Sequence, residues 1–431
     1  MHTGLIVIIA ALGYFVDVFD LVLFNIVRTQ SLQDLGLSGD RILAVGVQLL
    51  NAQMFGMLLG GILWGIIGDK IGRIQTLFGS ILLYSVSNIA NGFISSVEAY
   101  EVLRFITGIG LAGEIGGAIT LVSEVLSKER RGIGTALVAT AGAFGAVVAS
   151  YSATLVSWRS MYIIGGVMGL ILLALRMSAA ESFVFESIKR DNQVSKGSLL
   201  LLLGNRERVT RLLALIAIGV PFMFAWAFVA TFSPELAEAS IGKRISSALP
   251  ISYFAIGITI GDIVCGLFSQ LLKSRKKALG IFLISQFLCV LGALHANGGS
   301  ETLFTLWFFP MGVFSGLWAV LITTASEQYG TNLRSTVSSI VPNFVRGCTV
   351  LLSISFLSCK EAFGTISAVQ IVSFGSFLLA IIGLKAIRES FGVPLTFIEV
   401  GTGQVDYASP QQPATSAAAT GERDLRQASG F

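Results

Sequence analysis

Within the stretch GYFVDVFDLVLFN, residues 13–25, two aspartates stand three positions apart among side chains that otherwise prefer hydrocarbon. Positions i and i+3 of a helix share a face, so Asp17 and Asp20 present their carboxylates to the same side. At the centre of a bilayer each ionised carboxylate costs about 2.5–3.5 kcal/mol on insertion scales. Ionisable groups at that depth are retained for function. Asp17 falls about 20 Å along its helix, at 1.5 Å per residue, and so near mid-membrane. Two adjacent acids in a low dielectric cannot both ionise cheaply, so one of them is expected to exchange a proton near neutrality. Such a group can load from one side and release to the other.

A switch for that proton is available in RFITGIGLAGEIGG, residues 104–117. Arg104 paired with an aspartate keeps the carboxylate ionised, and Arg104 withdrawn lets the proton on. Glu114, ten residues further, points roughly 80° away from Arg104 on the helix, and packing is as open a role for it as protonation. Arg346 in PNFVRG is a lone cation inside an apolar run, beside Pro342 and with Asn343 at i−3. It calls for an anion, either a protein carboxylate, with Asp262 the candidate, or the carboxylate of a substrate. Aromatic residues crowd PFMFAWAF (221–228) and LWFFPMGVFSGLW (306–318). From these, Trp226 and Trp318 are expected to wall a cavity around the apolar body of a substrate.

The elements that must position these groups are membrane spans. The chain has 431 residues, 54% hydrophobic and only 13% charged, with a mean hydropathy of +0.79. Soluble domains carry about 25% charged residues. Twelve runs are long enough to cross about 30 Å of hydrocarbon: 4–27, 42–67, 76–95, 99–126, 133–157, 160–177, 209–233, 247–272, 278–296, 302–326, 335–358 and 364–384. The first run lacks a basic start and continues past residue 23, which predicts an uncleaved span and not a signal peptide. Residues 1–177 form a first bundle, 178–208 a polar linker, 209–388 a second bundle and 389–431 a tail expected to be mostly disordered.

Of 29 Lys and Arg, only six fall in loops of the side opposite the termini: Arg28, Arg41, Arg159, Lys243, Arg244 and Lys360. Arg104 and Arg346 lie within spans, and all the others share the side of the termini, which the positive-inside rule makes cytoplasmic. The expected location is therefore the cell membrane, crossed many times, with both ends inside. A net charge of +4 with no basic block argues against nucleic acid. Cys265, Cys289, Cys348 and Cys359 stand singly, and only His2 and His295 are present, so neither a metal nor a cofactor is called for. A formal G-x-G-x-x-G at Gly108, Gly110 and Gly113 lacks the strand and the soluble βαβ unit that a dinucleotide needs, and close helix packing explains it. No nucleophile–base pair marks an enzyme.

The halves echo one another. GGILWGIIGDKIGR (60–73) aligns with GDIVCGLFSQLLKSR (261–275), placing Gly65 over Gly266 and Asp69 over Gln270. SEVLSKERRG puts Glu124 and Arg131 seven apart, and SEQYGTNLRS does the same with Glu327 and Arg334. Six spans repeated in parallel are the plan of alternating-access carriers.

The loop GIIGDKIGR resembles the signature of the major facilitator superfamily, G-x-x-x-D-[RK]-x-G-R, matched by Gly65, Asp69, Lys70, Gly72 and Arg73, with Ile74 where a further basic residue is usual. Span four is similar to that of the superfamily's metabolite:proton symporters at Arg104, Gly113-Glu114-Ile115-Gly116-Gly117, Glu124 and Arg131-Gly132, with Ile115 replacing an aromatic. Asp17-Val18-Phe19-Asp20 resembles the paired first-span acids of those proteins, and of the aromatic-acid:proton symporters, about equally well.

The resemblance implies an all-α membrane protein of twelve transmembrane helices in two six-helix pseudo-repeats, a monomer that moves a small, anionic substrate with protons. It implies a proton-coupling set of Asp17, Asp20, Arg104 and Glu114, and a substrate set of Arg346, Asn343, Trp226 and Trp318. The signature loop implies a conformational gate, joined at the inner face by Glu124, Arg131, Glu181, Glu327 and Arg334. Span five, VATAGAFGAVVASYSA, lacks the G-P pairing of the superfamily's drug:proton antiporters, so symport is preferred. A uniporter or exchanger, and a symporter of a zwitterionic amino acid or betaine, stay open as alternatives.

Overall fold

The computed structural model describes residues 2–71, 73–113, 128–187, 202–295, 300–392, 397–399 and 405–407. The first half comprises α1 (His2–Asp34), α2 (Asp40–Ile71), α3 (Arg73–Asn91), α4 (Val97–Leu111), α5 (Lys128–Ser152) and α6 (Trp158–Ser187). The second comprises α7 (Arg206–Met223), which continues as a π-helical turn over Phe224–Ala230, then α8 (Ser233–Ile241), α9 (Ala248–Leu271) and α10 (Arg275–Leu294). It closes with α11 (Glu301–Leu306), α12 (Phe308–Ser315), α13 (Leu317–Glu327), α14 (Thr331–Phe363) and α15 (Thr365–Ala386). Nine stretches among the described residues are long and apolar enough to cross a membrane, counting α11 to α13 as one. The apolar helix Leu77–Asn91 within α3, together with α4 and α5, occupies the other three of the twelve predicted positions.

Packing repeats with the sequence. In the first half α1 lies on α5 and α6, α2 on α4, and α3 on α4 and α6. In the second half α7 lies on α14 and α15, α9 on α12, and α10 on α12 and α15. Substituting each helix for its counterpart turns one set of contacts into the other, as two parallel six-helix pseudo-repeats require. The bundles meet along α2–α14 and α5–α9, two seams that interchange under the same substitution. Outward faces carry large apolar side chains such as Leu267, Leu271 and Leu351, whereas Asp20, Gln53 and Arg104 are fully buried. That distribution suits a chain whose solvent is lipid.

Glycine sets the closest approaches. A Cβ on Gly108 would overlap the Gln53 carbonyl of α2, and one on Gly110 would come within 2.6 Å of the Tyr84 backbone nitrogen of α3. A Cβ on Gly113 would stand 2.6 Å from the Ser80 hydroxyl. The nucleotide-like glycine pattern is therefore a packing surface.

Four features depart from the sequence expectation. The first helix runs on to Asp34, so Arg28 is a buried helical residue and not a loop charge. The sixth continues past Met177 to Ser187, into the expected linker. Span ten is broken twice, at Trp307 and Gly316. Pro310 cannot donate to the preceding turn, which breaks the helix before it. At Gly316 any side chain would collide with the Gly261–Asp262 backbone of α9. Lastly, the tail contains an antiparallel pair, β1 (Phe397–Glu399) and β2 (Val405–Tyr407), with β1 against α14.

Candidate functional site

Asp20 sits on the inner face of α1 with no exposed surface, and neither carboxylate oxygen has a hydrogen-bond partner. Gly165 of α6 makes room for it, since a Cβ at that position would run into the Asp20 oxygen. The charges acting on it are Asp17 and Arg104, and the Asn88 amide of α3 faces it outside bonding geometry.

Arg104 comes from α4 and is also fully buried. Its Nη2 donates to Gln53 Oε1 of α2, and its guanidinium lies 4.7 Å from the Phe24 ring centre and 5.8 Å from that of Tyr162. Its Nε and Nη1 have no partner. Arginine and aspartate thus share a buried pocket without a hydrogen bond between them.

Asp17, which acts on Asp20, also acts on the second bundle. The groups acting electrostatically on Arg346 of α14 are Asp17 and Tyr14, and Tyr14 in turn faces Asp262 of α9. Arg346 is 6% exposed, and its Nε and Nη1 have no hydrogen-bond partner. Asp262, the predicted protein partner for Arg346, is used differently. Its Oδ1 accepts from the Ala319 N–H at 3.2 Å, capping the broken end of α13. Asp17, Tyr14, Asp262 and Arg346 therefore gather where the two bundles meet, with a buried arginine only partly engaged.

Asn343 is buried one turn from Arg346 and donates to the Ala112 carbonyl at 3.3 Å, bridging the bundles. The space it fills is left by Gly61, whose Cβ would stand 2.9 Å from the Asn343 amide nitrogen. Trp226 lies on the π-helical turn, tilted against Phe254 at 5.2 Å between centroids. Trp318 stacks on Phe222 at 4.5 Å. Both tryptophans thus line the second bundle.

Polar contacts cluster at each end of the molecule, crossing between the bundles at the first of them. On the face of the α1–α2 link, Arg28 Nη2 donates to both Glu235 oxygens at 2.8 and 2.9 Å, tying α1 to α8. The guanidinium also lies 4.3 Å from the Phe232 ring centre, and Arg244 adds a second contact to Glu235 at 3.3 Å. On the opposite face Glu327 pairs with Arg275 at 3.0 Å and accepts from Ser390 at 2.7 Å. Glu389 beside it accepts from the Ser274 hydroxyl and from the N–H groups of Arg275, Lys276 and Phe391. Partial burial pushes the Glu389 carboxyl up, but those hydrogen bonds outweigh it and hold the group below the usual carboxylate range. The start of the tail is therefore docked and ordered.

Several predicted gate residues cannot be placed. Gly65, Asp69, Lys70, Arg73, Arg131, Glu181 and Arg334 fall on helical backbone, but their side chains lie outside the described residues, as do Gly72, Glu114 and Glu124 altogether. The residues that sequence reasoning passed over are Tyr14, Gln53, Gly165, Arg28 and Glu235. Gln53 and Tyr14 carried a usable signal: the first is a polar residue inside an apolar span, and the second lies three before Asp17 on the same helical face.

Comparison with known proteins completes the description. Residues 10–354 match the model of the Major Facilitator Superfamily. The chain is 25% identical to a putative niacin/nicotinamide transporter, NiaP, of Bacillus subtilis, over 78% of this chain and 84% of that one. It is 24% identical to the sialic acid transporter NanX of Escherichia coli, over 87% and 92%. Its fold is similar to the crystal structure of a D-xylose-proton symporter, with a TM-score of 0.67 and 16% identity, covering 92% of this chain and all of that one.

Proposed function

The chain belongs to the Major Facilitator Superfamily, a family of membrane transporters and not of enzymes, and on that footing we propose that it imports a small organic acid together with protons by alternating access. The observation that carries this reading is the Asp20–Arg104 pocket. An acid wholly removed from water, without a hydrogen bond, stands beside an arginine whose donor is engaged by Gln53. A carboxylate so placed takes up a proton readily, and returning Arg104 to it drives the proton off. Asp20 is the proton carrier, Asp17 its partner and Arg104 the modulator.

Arg346 receives the substrate carboxylate, with Asn343, Trp226 and Trp318 bounding the cavity. The unpartnered Nε and Nη1 of Arg346 support this, because a buried guanidinium seeks a bidentate anion. Of the relatives named above, NanX is named for an acid, and NiaP for niacin, which carries a carboxylate, and for nicotinamide, which does not. A zwitterion is the second reading, favoured by Asp262, which stands across Tyr14 from Arg346 and suits a cationic group.

The halves 1–177 and 209–388 rock as units about the seams α2–α14 and α5–α9. The signature segment Gly65–Arg73, helical here up to Ile71, and the charges Glu124, Arg131, Glu181, Glu327 and Arg334 gate the face that the basic residues mark as cytoplasmic. Arg28–Glu235 closes the external face. The protein acts as a monomer.

The test uses proteoliposomes loaded with a pH-sensitive dye. Niacin, sialic acid and glycine betaine are added in turn without an imposed gradient. Acidification of the vesicle lumen on adding one of the two acids, beyond that in protein-free vesicles, supports symport. Uptake of an acid with no proton movement makes the protein a uniporter or exchanger, and a response to betaine alone selects the zwitterion.

A further inference from the structure

Three buried hydroxyls from three helices line up beside the Asp20 pocket. Ser31 Oγ of α1 lies 3.3 Å from Tyr100 Oη of α4, and Tyr100 Oη lies 2.6 Å from Tyr162 Oη of α6. All three residues have no exposed surface. Gly165, which adjoins the Asp20 oxygen, follows Tyr162 by three residues on the same face of α6. The inner end of the row therefore stands one turn from the unpartnered carboxylate. Ser31 and Asp20 are separated by about 16 Å along α1, at 1.5 Å per residue.

At the outer end, Asp34 lies one turn beyond Ser31 on the same face, 53% exposed, and its carboxylate accepts from Trp158 Nε1 at 2.7 Å. Trp158 stacks on Tyr100 at 6.2 Å and meets Tyr162 edge-on at 6.3 Å, which fixes both phenol rings. An acidic rim residue, three hydroxyls and a buried acid thus descend in order from one face of the membrane to its middle.

We propose that Ser31, Tyr100 and Tyr162 form the relay that delivers external protons to Asp20. This rests on the symport reading and on the orientation proposed above. Hydroxyls suit the task because each both donates and accepts, and either atom of each pair here can be the donor. The Arg104 guanidinium, 5.8 Å from the Tyr162 ring centre, opposes any extra positive charge on that phenol, so the sequence starts with a proton leaving it.

Asp20, which is not hydrogen-bonded to Tyr162 in this structure, turns within its pocket to meet the phenol, and the Tyr162 O–H bond breaks as an O–H bond forms on Asp20. Tyr100 gives its proton to Tyr162, and Ser31 gives its own to Tyr100, turning from the Arg28 carbonyl to which it donates at 3.0 Å. A proton from external water at the Asp34 rim restores Ser31. One proton has crossed and each hydroxyl is as it began. The 2.6 Å contact lies within the range for direct proton transfer, and the 3.3 Å contact stands just beyond it and shortens as Ser31 turns.

The experiment needs no substrate. The full-length protein in lipid is given a rapid acid jump, and time-resolved infrared spectroscopy follows the protonated-carboxyl band that Asp20→Asn removes. Tyr100→Phe and Tyr162→Phe keep the rings and delete the hydroxyls. Each is expected to slow the band's appearance by about tenfold or more while leaving its final amplitude unchanged. Ser31→Ala should act likewise, and Ser31→Thr, which retains a hydroxyl, should restore the rate. A band that rises at the wild-type rate in both phenylalanine variants overturns the relay and leaves symport standing. An Asp20 band that never appears in the wild-type protein overturns symport and the relay with it.

Discussion

Asp17 of the first helix and Arg346 of the eleventh span face each other across the boundary between the bundles, and neither belongs wholly to its own half. Asp17 shares a helical face with Asp20, so the pair links the Asp20–Arg104 pocket to Arg346 through a single turn of α1. Under the proposed function, a substrate carboxylate at Arg346 would compete with Asp17 for the same cation. Removing that competitor tightens anion binding and loosens the tie to the proton. Asp17→Asn is therefore expected to bind the transported acid several-fold more tightly while transporting fewer protons per substrate. Arg346→Lys, which loses the planar fork, should weaken binding by about 1–3 kcal/mol. Isothermal titration of the two variants checks both directions.

Gln53 holds Arg104 away from Asp20. With Gln53→Leu the guanidinium loses its acceptor and turns to the nearest anion, Asp20, favouring the ionised carboxylate. Transport by this variant should require more acid, so its pH–rate profile moves to lower pH. An unmoved profile would show that the Gln53 contact is merely structural.

The buried Arg28–Glu235 pair joins the two halves and contributes to stability. Glu235→Gln leaves Arg28 charged and largely unpaired in a dry seam, a loss of about 3–5 kcal/mol for a buried pair. The thermal midpoint in detergent should fall clearly. Arg28→Met combined with Glu235→Leu should recover most of it, because a well-packed apolar pair carries no desolvation penalty.

Glu389 ties the tail to the start of α10. Because its folded carboxyl lies below the ordinary carboxylate value of about 4.5, its contribution is complete above that pH and is lost as the pH falls through the lowered value. The midpoint difference between wild type and Glu389→Gln should be constant from neutrality down to about pH 5 and vanish in stronger acid. Thermal melts across that range measure it.

Much of this was legible in the residues. Apolar run lengths located the spans, and the aligned segments around Gly65 and Gly266 exposed the repeat, because lipid imposes one period and one polarity on every crossing helix. Asp17, Asp20, Arg104 and Arg346 stood out because charge is rare at that depth. Pairing was less visible. Arg28 and Glu235 meet across 207 positions, and nothing local distinguishes Arg28 from a loop charge until α1 is seen to run on to Asp34. Asp262 looked like a partner for Arg346, but the break at Gly316 exposed a backbone N–H that claimed it first. Helix interruptions redirect side chains in ways that composition does not encode.

The account stands on the proton leaving and returning to Asp20, and Asp20→Asn tests it most directly. The variant is reconstituted and compared with wild type in two assays on the same vesicles: accumulation of the transported acid driven by an inward proton gradient, and counterflow exchange at equal pH. The account predicts that accumulation is abolished while counterflow continues at close to the wild-type rate. Gradient-driven accumulation that survives in Asp20→Asn would contradict it.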